Sequence, residues 1–317
     1  MSSLFGQTFL SVSQGLLIIF IIAALAAFLT HRKIINQEMI NGFSRLTVRI
    51  FLPFLIFYTI TSEFDPAQQA YWWKIPLAAI AIPSLGLLVS WLLFYRNARV
   101  KKSYFPLASM QNAAYLVLPI GEFVYPGQFE EFSLICFLVV LGLSPFMWTV
   151  GKLLLTKDTS GGPGIVKMLT PPFIANVLSI LLVLSGLHRF IPAFITETAS
   201  FIGSATVPVA TFILGATIVI SFQSIPPFWD SLRVLSVKFL VLPLVTIITL
   251  KLTHTADSYP LLADVLVIQS SSAPATAHIL QLRTYGGDLK KAGGLIFLGY
   301  MVCLVAIPAW LSLWKIL

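Results

Sequence analysis

Two stretches of this sequence combine hydrophobic residues with side chains that can bind a polar solute. The first, MQNAAYLVLPIGE at residues 110–122, contains Gln111, Asn112, Pro119 and Glu122. A bilayer interior penalises polar groups without partners, and proline interrupts the helix that satisfies the backbone. Such groups are tolerated at membrane depth only where the chain is buried in protein or lines a cavity. We therefore predict that Gln111, Asn112 and Pro119 bind a solute.

The second stretch, YPLLADVLVIQSSSAPATAHILQL at residues 259–282, is equally polar. Its candidates for binding a solute are Gln269, Ser270, Ser271, Ser272 and Pro274. The alternative for the serines is that they pack helix against helix or bond their own backbone. Both interpretations stay open for them at this point.

Three ionisable residues in these stretches, Glu122, Asp264 and His278, are candidates for carrying a coupling proton, because charges inside membranes are costly and are often functional. The alternatives are that Glu122 and Asp264 lie at a wet outer mouth and that His278 makes a structural hydrogen bond. The four histidines lie far apart and no H-E-x-x-H motif occurs. The sequence therefore predicts no enzyme, no metal site and no cofactor.

Composition places these stretches in a membrane protein. Only 10% of the residues are charged and 57% are hydrophobic, with a mean hydropathy of +0.91, whereas a soluble domain has roughly 25% charged residues. The net charge of +8 is spread over short loops without interleaved aromatic residues, so we expect no nucleic-acid partner. Cys136 and Cys303 lie in apolar runs and are expected to be buried thiols.

Ten apolar stretches, spans 1 to 10, are predicted to cross the bilayer as helices. The first is interpreted as a retained helix and not as a cleaved signal, because no basic segment precedes it. The predicted spans are residues 8–29, 41–61, 73–95, 104–125, 132–155, 171–187, 198–220, 231–251, 260–281 and 291–315.

The distribution of lysine and arginine predicts the orientation of these spans, since basic residues are enriched in inner loops. With both termini outside, four basic residues are outer, Lys74, Arg189, Lys251 and Lys315, and the other 16 of the 20 are inner. The inner set includes Lys157, Lys167 and Lys238, and no lysine or arginine is expected in the middle third of a span. We predict a multi-pass protein of a cytoplasmic (inner) membrane with its N- and C-termini outside.

Prolines recur in the same order in two halves of the chain. Spans 2 to 5 and spans 7 to 10 each contain one at offsets of 155, 160, 155 and 163 residues, the pairs being Pro53 and Pro208, Pro83 and Pro243, Pro119 and Pro274, Pro145 and Pro308. Five spans is an odd number, so the second copy enters the membrane inverted, as in many secondary transporters. The predicted repeats are residues 1–157 and 165–317.

The two polar stretches hold the same place in the two repeats, as spans 4 and 9. We predict that each helix breaks at its proline, Pro119 or Pro274, and that the second half-helix begins there. Two positive helix N-termini would then meet at the midplane. Together with amide and hydroxyl groups, this arrangement favours an anion.

The sequence as a whole resembles the auxin efflux carrier family, which includes plant auxin carriers and bacterial malate or malonate permeases. The resemblance rests on SRLTVRIFLPFLIFYTI, NAAYLVLPIGEFVYPG, VPVATFILGATI and APATAHILQLRTYGGD, in this order. It implies two inverted five-helix halves whose fourth and ninth helices cross at their prolines. It also implies a scaffold of spans 1, 2, 6 and 7, often dimeric, and an elevator-type transport domain of spans 3–5 and 8–10. Asn112, Pro119 and Pro274 match the family pattern, whereas Ala114 and Val117 replace its glycines.

The sequence therefore predicts an all-α secondary transporter for a small organic anion, a carboxylate, driven by voltage, a proton or a counter-anion. A sodium-coupled carrier with the same crossed helices, as in bile acid symporters, is the alternative, although the crossing lacks a central carboxylate. A passive channel is a further possibility, but an inverted repeat favours alternating access.

Overall fold

The structure is a computed structural model that describes residues 2–155 and 169–317. These residues are almost entirely helical, and extended pairing within them is limited to one isolated bridge between Gln111 and Pro274. The principal helices are α1 (Ser2–His31), α2 (Gln37–Glu63), α3 (Lys74–Leu93), α4 (Tyr104–Ser109), α5 (Val117–Val124), α6 (Pro126–Leu155), α7 (Pro171–Leu184), α8 (Ala193–Ser221), α9 (Phe228–Leu252), α10 (Pro260–Ser271), α11 (Ala277–Tyr285) and α12 (Leu289–Ile316).

Seven of these helices in the described ranges are long and apolar enough to cross a membrane, namely α1, α2, α3, α6, α8, α9 and α12. Two shorter apolar helices, α7 and α10, fall below that length. A multi-span membrane protein, as predicted from composition, is thereby confirmed. The count of ten spans in two inverted repeats stays a prediction. The predicted repeat boundaries, and with them Lys157 and Lys167, lie outside the described residues.

Local sequence explains where several helices begin. The side chains of Asn36, Thr170 and Asp288 accept hydrogen bonds from backbone N–H groups three residues later, at the starts of α2, α7 and α12. Each of these caps satisfies a donor that the first turn of a helix leaves free. Pro171 and Pro172 occupy the first turn of α7, where a missing N–H costs nothing.

Three long helices contain a π-helical turn next to a proline: residues Thr47–Phe51 in α2, Met147–Gly151 in α6 and Val237–Val241 in α9. In α2 and α9 the proline follows this turn, cannot donate to the carbonyl four residues earlier and clashes with it, so the helix widens there. In α6 the turn comes after Pro145. In α9 the carbonyl that Pro243 leaves free belongs to Phe239. It accepts a 2.7 Å hydrogen bond from Trp310 Nε1 of α12, which connects the widened turn of α9 to α12.

Glycines allow the closest contacts between helices. A Cβ atom on Gly142 of α6 would lie 2.2 Å from the Pro76 carbonyl oxygen of α3. One on Gly215 of α8 would lie 2.1 Å from the Ala23 carbonyl oxygen of α1. Small residues at such contacts are the usual way in which membrane helices gain packing energy, since lipid provides no hydrophobic drive between them.

Lys238 is the clearest departure from the predicted organisation. It was assigned to the basic inner loops, but it lies inside α9, the eleventh of 25 residues, with its side chain fully buried. The expectation that no lysine or arginine occupies the middle of a span is therefore wrong. The helix begins at Phe228, three residues before the predicted span, which moves Lys238 deeper along it.

Candidate functional site

The two polar stretches are interrupted helices, as predicted, but the first interruption precedes its proline. Residues 110–116 separate α4 from α5, and Pro119 is the third residue of α5. The prediction that this helix breaks at Pro119 is thus wrong, because proline fits the first turn of a helix, whose N–H groups have no intrahelical partner. Pro274 lies, as expected, within the second break, residues 272–276 between α10 and α11.

The two breaks cross as a short antiparallel backbone pair. The Asn112 amide N–H donates to the Ala273 carbonyl at 2.9 Å, and the Ala275 N–H donates to the Met110 carbonyl at 3.2 Å. Between these two bonds, Gln111 faces Pro274. Backbone groups that the helix interruptions would leave unpaired therefore satisfy one another across the crossing.

The second half of each interrupted helix lies beside the first half of the other. On one side of the crossing, the Tyr125 hydroxyl after α5 donates to Asp264 of α10 at 3.0 Å. On the other side, the His278 imidazole of α11 lies close to the Pro106 carbonyl of α4. The N-termini of α5 and α11 thus approach the crossing from opposite sides, and each brings the positive end of its helix dipole.

Asn112 joins the crossing to α12. Its Nδ2 donates to the Tyr300 hydroxyl at 2.6 Å and to Thr276 Oγ1 at 3.4 Å. Its Oδ1 accepts from the Tyr115 N–H at 3.1 Å, which closes the turn leading into α5. Asn112 is 6% exposed, so its amide holds three elements together at the place where a solute was predicted to bind.

The two glutamines of the predicted site are buried beside the crossing. Gln269 Nε2 donates to the Ala113 carbonyl at 3.1 Å and contacts Cys136 Sγ at 3.7 Å, while its Oε1 has no hydrogen-bond partner in the described part of the chain. Gln111 has no such partner for either of its side-chain atoms. Unsatisfied amide atoms are costly when buried. Binding of a solute by these atoms stays a prediction.

The three serines at the end of α10 bond the backbone of that helix in this structure. The hydroxyls of Ser270 and Ser271 both donate to the Val267 carbonyl, at 2.9 and 2.8 Å, and Ser272 donates to the Gln269 carbonyl at 3.0 Å. This geometry agrees with the alternative that the sequence left open, local bonding to the backbone. Contact between these serines and a solute stays a prediction.

Asp264 does not lie at a wet mouth, as the sequence suggested. It is 2% exposed and forms an ion pair with Lys315, with hydrogen bonds from the Tyr125 hydroxyl at 3.0 Å and from Trp314 Nε1 at 3.1 Å. The reason is that α12 returns its last turn to the start of α10 and covers the carboxylate. The contact joins the start of α10 to the end of α12, which are distant in the sequence, so it could not be predicted from the sequence.

Removing the Asp264 carboxylate should destabilise the protein. In Asp264→Ala the Lys315 ammonium loses its partner, and we expect a loss of about 2–3 kcal/mol, less than for a fully buried pair because Lys315 reaches solvent. The measurement is thermal unfolding of the purified protein in detergent. The double variant Asp264→Leu with Lys315→Met should recover most of the loss, since no charge is left unpaired. Equal melting temperatures for wild type and Asp264→Ala would contradict this account.

Glu122 is exposed and lines a cavity of about 360 Å³ at the end of α5. The cavity lies between α1, α2, α5, α6 and α8. Its polar lining comes from Tyr58, Thr59, Glu122, Glu130, Ser200, Ser204 and Thr211. A solvated carboxylate in a cavity is compatible with the predicted mouth, and a coupling role for it stays a prediction.

His278 is fully buried and is held by Gln281. Its Nδ1 lies 3.1 Å from Gln281 Oε1, and Gln281 Nε2 donates to the Met147 carbonyl at 3.0 Å. Gln281 thus presents its oxygen to Nδ1, which donates to it in the tautomer that carries the hydrogen on Nδ1. Nε2 has no hydrogen-bond partner among the described residues.

Sequence reasoning missed Lys238 as a site residue. Its Nζ is buried and has no hydrogen-bond partner in the described ranges. The ammonium lies near enough to His278 to act electrostatically on the imidazole. The sequence did contain a sign that Lys238 lies within a helix: in VKFLVLP, residues 237–243, it is the one charged residue among hydrophobic ones.

Comparison with known proteins identifies the chain's relatives. A family model described as "Membrane transport protein" matches residues 11–162 and 164–311. The chain is also similar to an uncharacterized transporter of Methanocaldococcus jannaschii, with 24% identity over 301 residues that cover 93% of this chain and 96% of the relative. Both matches extend through the two breaks and their crossing.

Proposed function

This chain belongs to the membrane transport protein family, the auxin efflux carrier family whose motifs its sequence resembles, and we propose that it is a secondary transporter for a small organic anion. Membership in a transporter family together with seven apolar helices of spanning length makes the bilayer its environment. It also agrees with the expectation that the chain is not an enzyme. The solute and the mechanism are the steps that we propose.

The observation that carries the proposal is the crossing of the two breaks. Interrupted helices at membrane depth are the best structural pointer to the binding site of a transporter. Here the interruption combines the N-termini of α5 and α11 with the buried amides of Asn112, Gln111 and Gln269. Helix N-termini and amide donors favour a carboxylate over a cation. We therefore place the anion at this crossing.

We propose ten spans in two inverted repeats as the architecture that serves this site. The pairing of Gln111 with Pro274 supports it, because one break comes from each half of the chain and the two run antiparallel. In this arrangement α4 with α5 forms span 4 and α10 with α11 forms span 9. Both termini would then lie outside the cytoplasmic membrane.

Alternating access would come from an elevator movement. We propose that α1, α2, α7 and α8 form the scaffold, which also mediates a homodimer, and that the remaining helices carry the crossing past it. The cavity of about 360 Å³ supports this division, because Tyr58 and Thr211 line it from scaffold helices and Glu122 and Glu130 from moving ones. Glu122 is the coupling-proton candidate that such a cavity exposes, whereas Asp264 is engaged by Lys315.

A sodium-coupled carrier is the second candidate, and the unpartnered amide oxygens of Gln111 and Gln269 are the observation that favours it. Oxygen atoms are the ligands that hard cations prefer. Within the described residues, however, no group of three acidic, histidine or cysteine side chains could hold a metal ion. A sodium site here would thus depend on amides, hydroxyls and carbonyls.

The test is electrogenic transport by the purified protein in proteoliposomes adsorbed on a solid-supported membrane. The solutes are malate, malonate, succinate, an indole acid and a bile acid, each with and without sodium and a pH gradient. A current for a carboxylate in the absence of sodium is the expected result. A current that requires sodium would replace the proposal by the symporter. No current and no tracer uptake of any of these acids would overturn the organic-anion proposal.

A further inference from the structure

Lys238 is a buried lysine that lacks an acidic partner within the described ranges. Its side chain is fully buried, its Nζ has no hydrogen bond, and the ion pairs of those ranges involve other lysines and a histidine. Leaving an ammonium group unpaired in a low-dielectric interior costs several kcal/mol. Ionisable residues retained inside membrane helices at such a cost usually mark a solute path.

The surroundings of Lys238 place it beside the crossing. Its π-helical turn, Val237–Val241, contacts α4, α10 and α12 as well as α3. Leu242, one turn later on the same face, lies near Ser109, since a Cβ on Gly86 would be 3.3 Å from Leu242 Cδ2 and 2.7 Å from Ser109 Cβ. Ser109 ends α4, where the first break begins. Lys238 therefore lies on the α4–α11 side of the crossing.

The neighbours of Lys238 moderate its charge without cancelling it. The C-terminus of α4 offers only about half an elementary negative charge. His278, which interacts electrostatically with Lys238, carries no negative charge in either tautomer. Gly151 lies beside both Met110 and His278, since a Cβ there would be 3.0 Å from Met110 Sδ and 3.5 Å from His278 Cε1. A larger side chain at position 151 would therefore crowd the His278 ring.

We propose that Lys238 is the residue that selects for anions, by pairing with the carboxylate that the crossing binds. The Gln111 amide, which is unpartnered and adjacent to Met110, provides a neutral hydrogen bond to the same ligand. This inference rests on the proposed transport of an organic anion and adds what the helix dipoles lack, a full positive charge. It predicts discrimination against neutral amides of the same shape.

The experiment measures binding separately from transport. Purified wild type and Lys238→Met are titrated with malonate and with malonamide, its neutral isostere, and with the acid that gives the largest current in the solid-supported membrane assay. Binding is followed by the shift in melting temperature. Lys251→Met is the matched control, because Lys251 lies on the same helix but is exposed at its end. If Lys238→Met is not monodisperse, Lys238→Gln takes its place.

We expect a carboxylate to bind wild type and the Lys251 control, and to bind Lys238→Met at least about tenfold more weakly, the usual cost of losing a charge-assisted hydrogen bond. The preference over malonamide should disappear in the variant. Equal affinities in wild type and Lys238→Met would overturn the inference even if transport persists. A wild type that binds none of the acids would overturn it as well. Binding that depends on Lys238, with neither current nor tracer uptake, would instead refute transport and leave the anion-binding role of Lys238 standing.

Discussion

The Asn112→Ala variant is expected to fold and to lose at least nine-tenths of the transport rate of wild type. Asn112 connects the crossing to Tyr300, to Thr276 and to the turn before α5. Alanine leaves these partners without the amide, and the break loses the geometry that presents its polar groups. The loss of these three hydrogen bonds, at a net value of roughly 1 kcal/mol each, costs about 3 kcal/mol in stability, which a folded membrane protein tolerates. The measurement is initial current per reconstituted protein.

Two further variants separate binding from packing. Tyr300→Phe removes only the hydroxyl that Asn112 Nδ2 reaches, so it should lower transport less than Asn112→Ala. Asn176→Ala is the matched control, because Asn176 is a fully buried amide of α7 that bonds the Pro172 carbonyl of its own helix. It should keep the rate of wild type within about twofold. Full activity in Asn112→Ala would remove this residue from the site.

The Gly142→Leu variant is expected to fail in folding. A Cβ at this position would lie 2.2 Å from the Pro76 carbonyl oxygen and 2.8 Å from Pro76 Cα. Backbone atoms cannot swing aside as a side chain can, so α3 and α6 must separate. The expected loss lies at or beyond the upper end of the roughly 1–3 kcal/mol typical of overpacking. We expect little monodisperse protein by size-exclusion chromatography and a melting temperature well below that of wild type.

Gly42→Leu provides the comparison. Gly42 also lies within a membrane helix, α2, but a Cβ there meets nothing within 4 Å. Leucine also favours the helix more than glycine does, so this variant should be as stable as wild type or slightly more so. If both variants were equally stable, the close approach of α3 and α6 would not be a determinant of the fold.

Much of the helical organisation could be predicted from the sequence, because apolar runs of about 20 residues leave few alternatives in a bilayer. The positions of α3, α9 and α12 differ from the predicted spans by three residues or fewer at either end. The position of the first break was not predictable from Pro119 alone. Proline is compatible with both a break and a first turn, and only the pairing of residues 110–112 with residues 273–275 distinguishes them.

The site was predicted in part for the same reason. Polar residues are conspicuous within an apolar run, so Asn112, Gln111 and Gln269 could be selected from the sequence. All three are buried where the two breaks meet. Lys238 and the partners of Asp264 depend on long-range packing. A lysine eleven residues into a helix resembles a loop residue until the helix start is known, and the contact between Asp264 and Lys315 joins residues 51 positions apart.

The backbone pair between the two breaks has a consequence for biogenesis. The ribosome completes residues 110–116 about 160 positions before their partners at residues 272–276. During that interval, the carbonyl of Met110 and the N–H of Asn112 lack the partners that the folded protein gives them, and lipid offers no replacement. The first five helices must therefore be sheltered, by the insertion machinery or by water, until the last third of the protein has been synthesised.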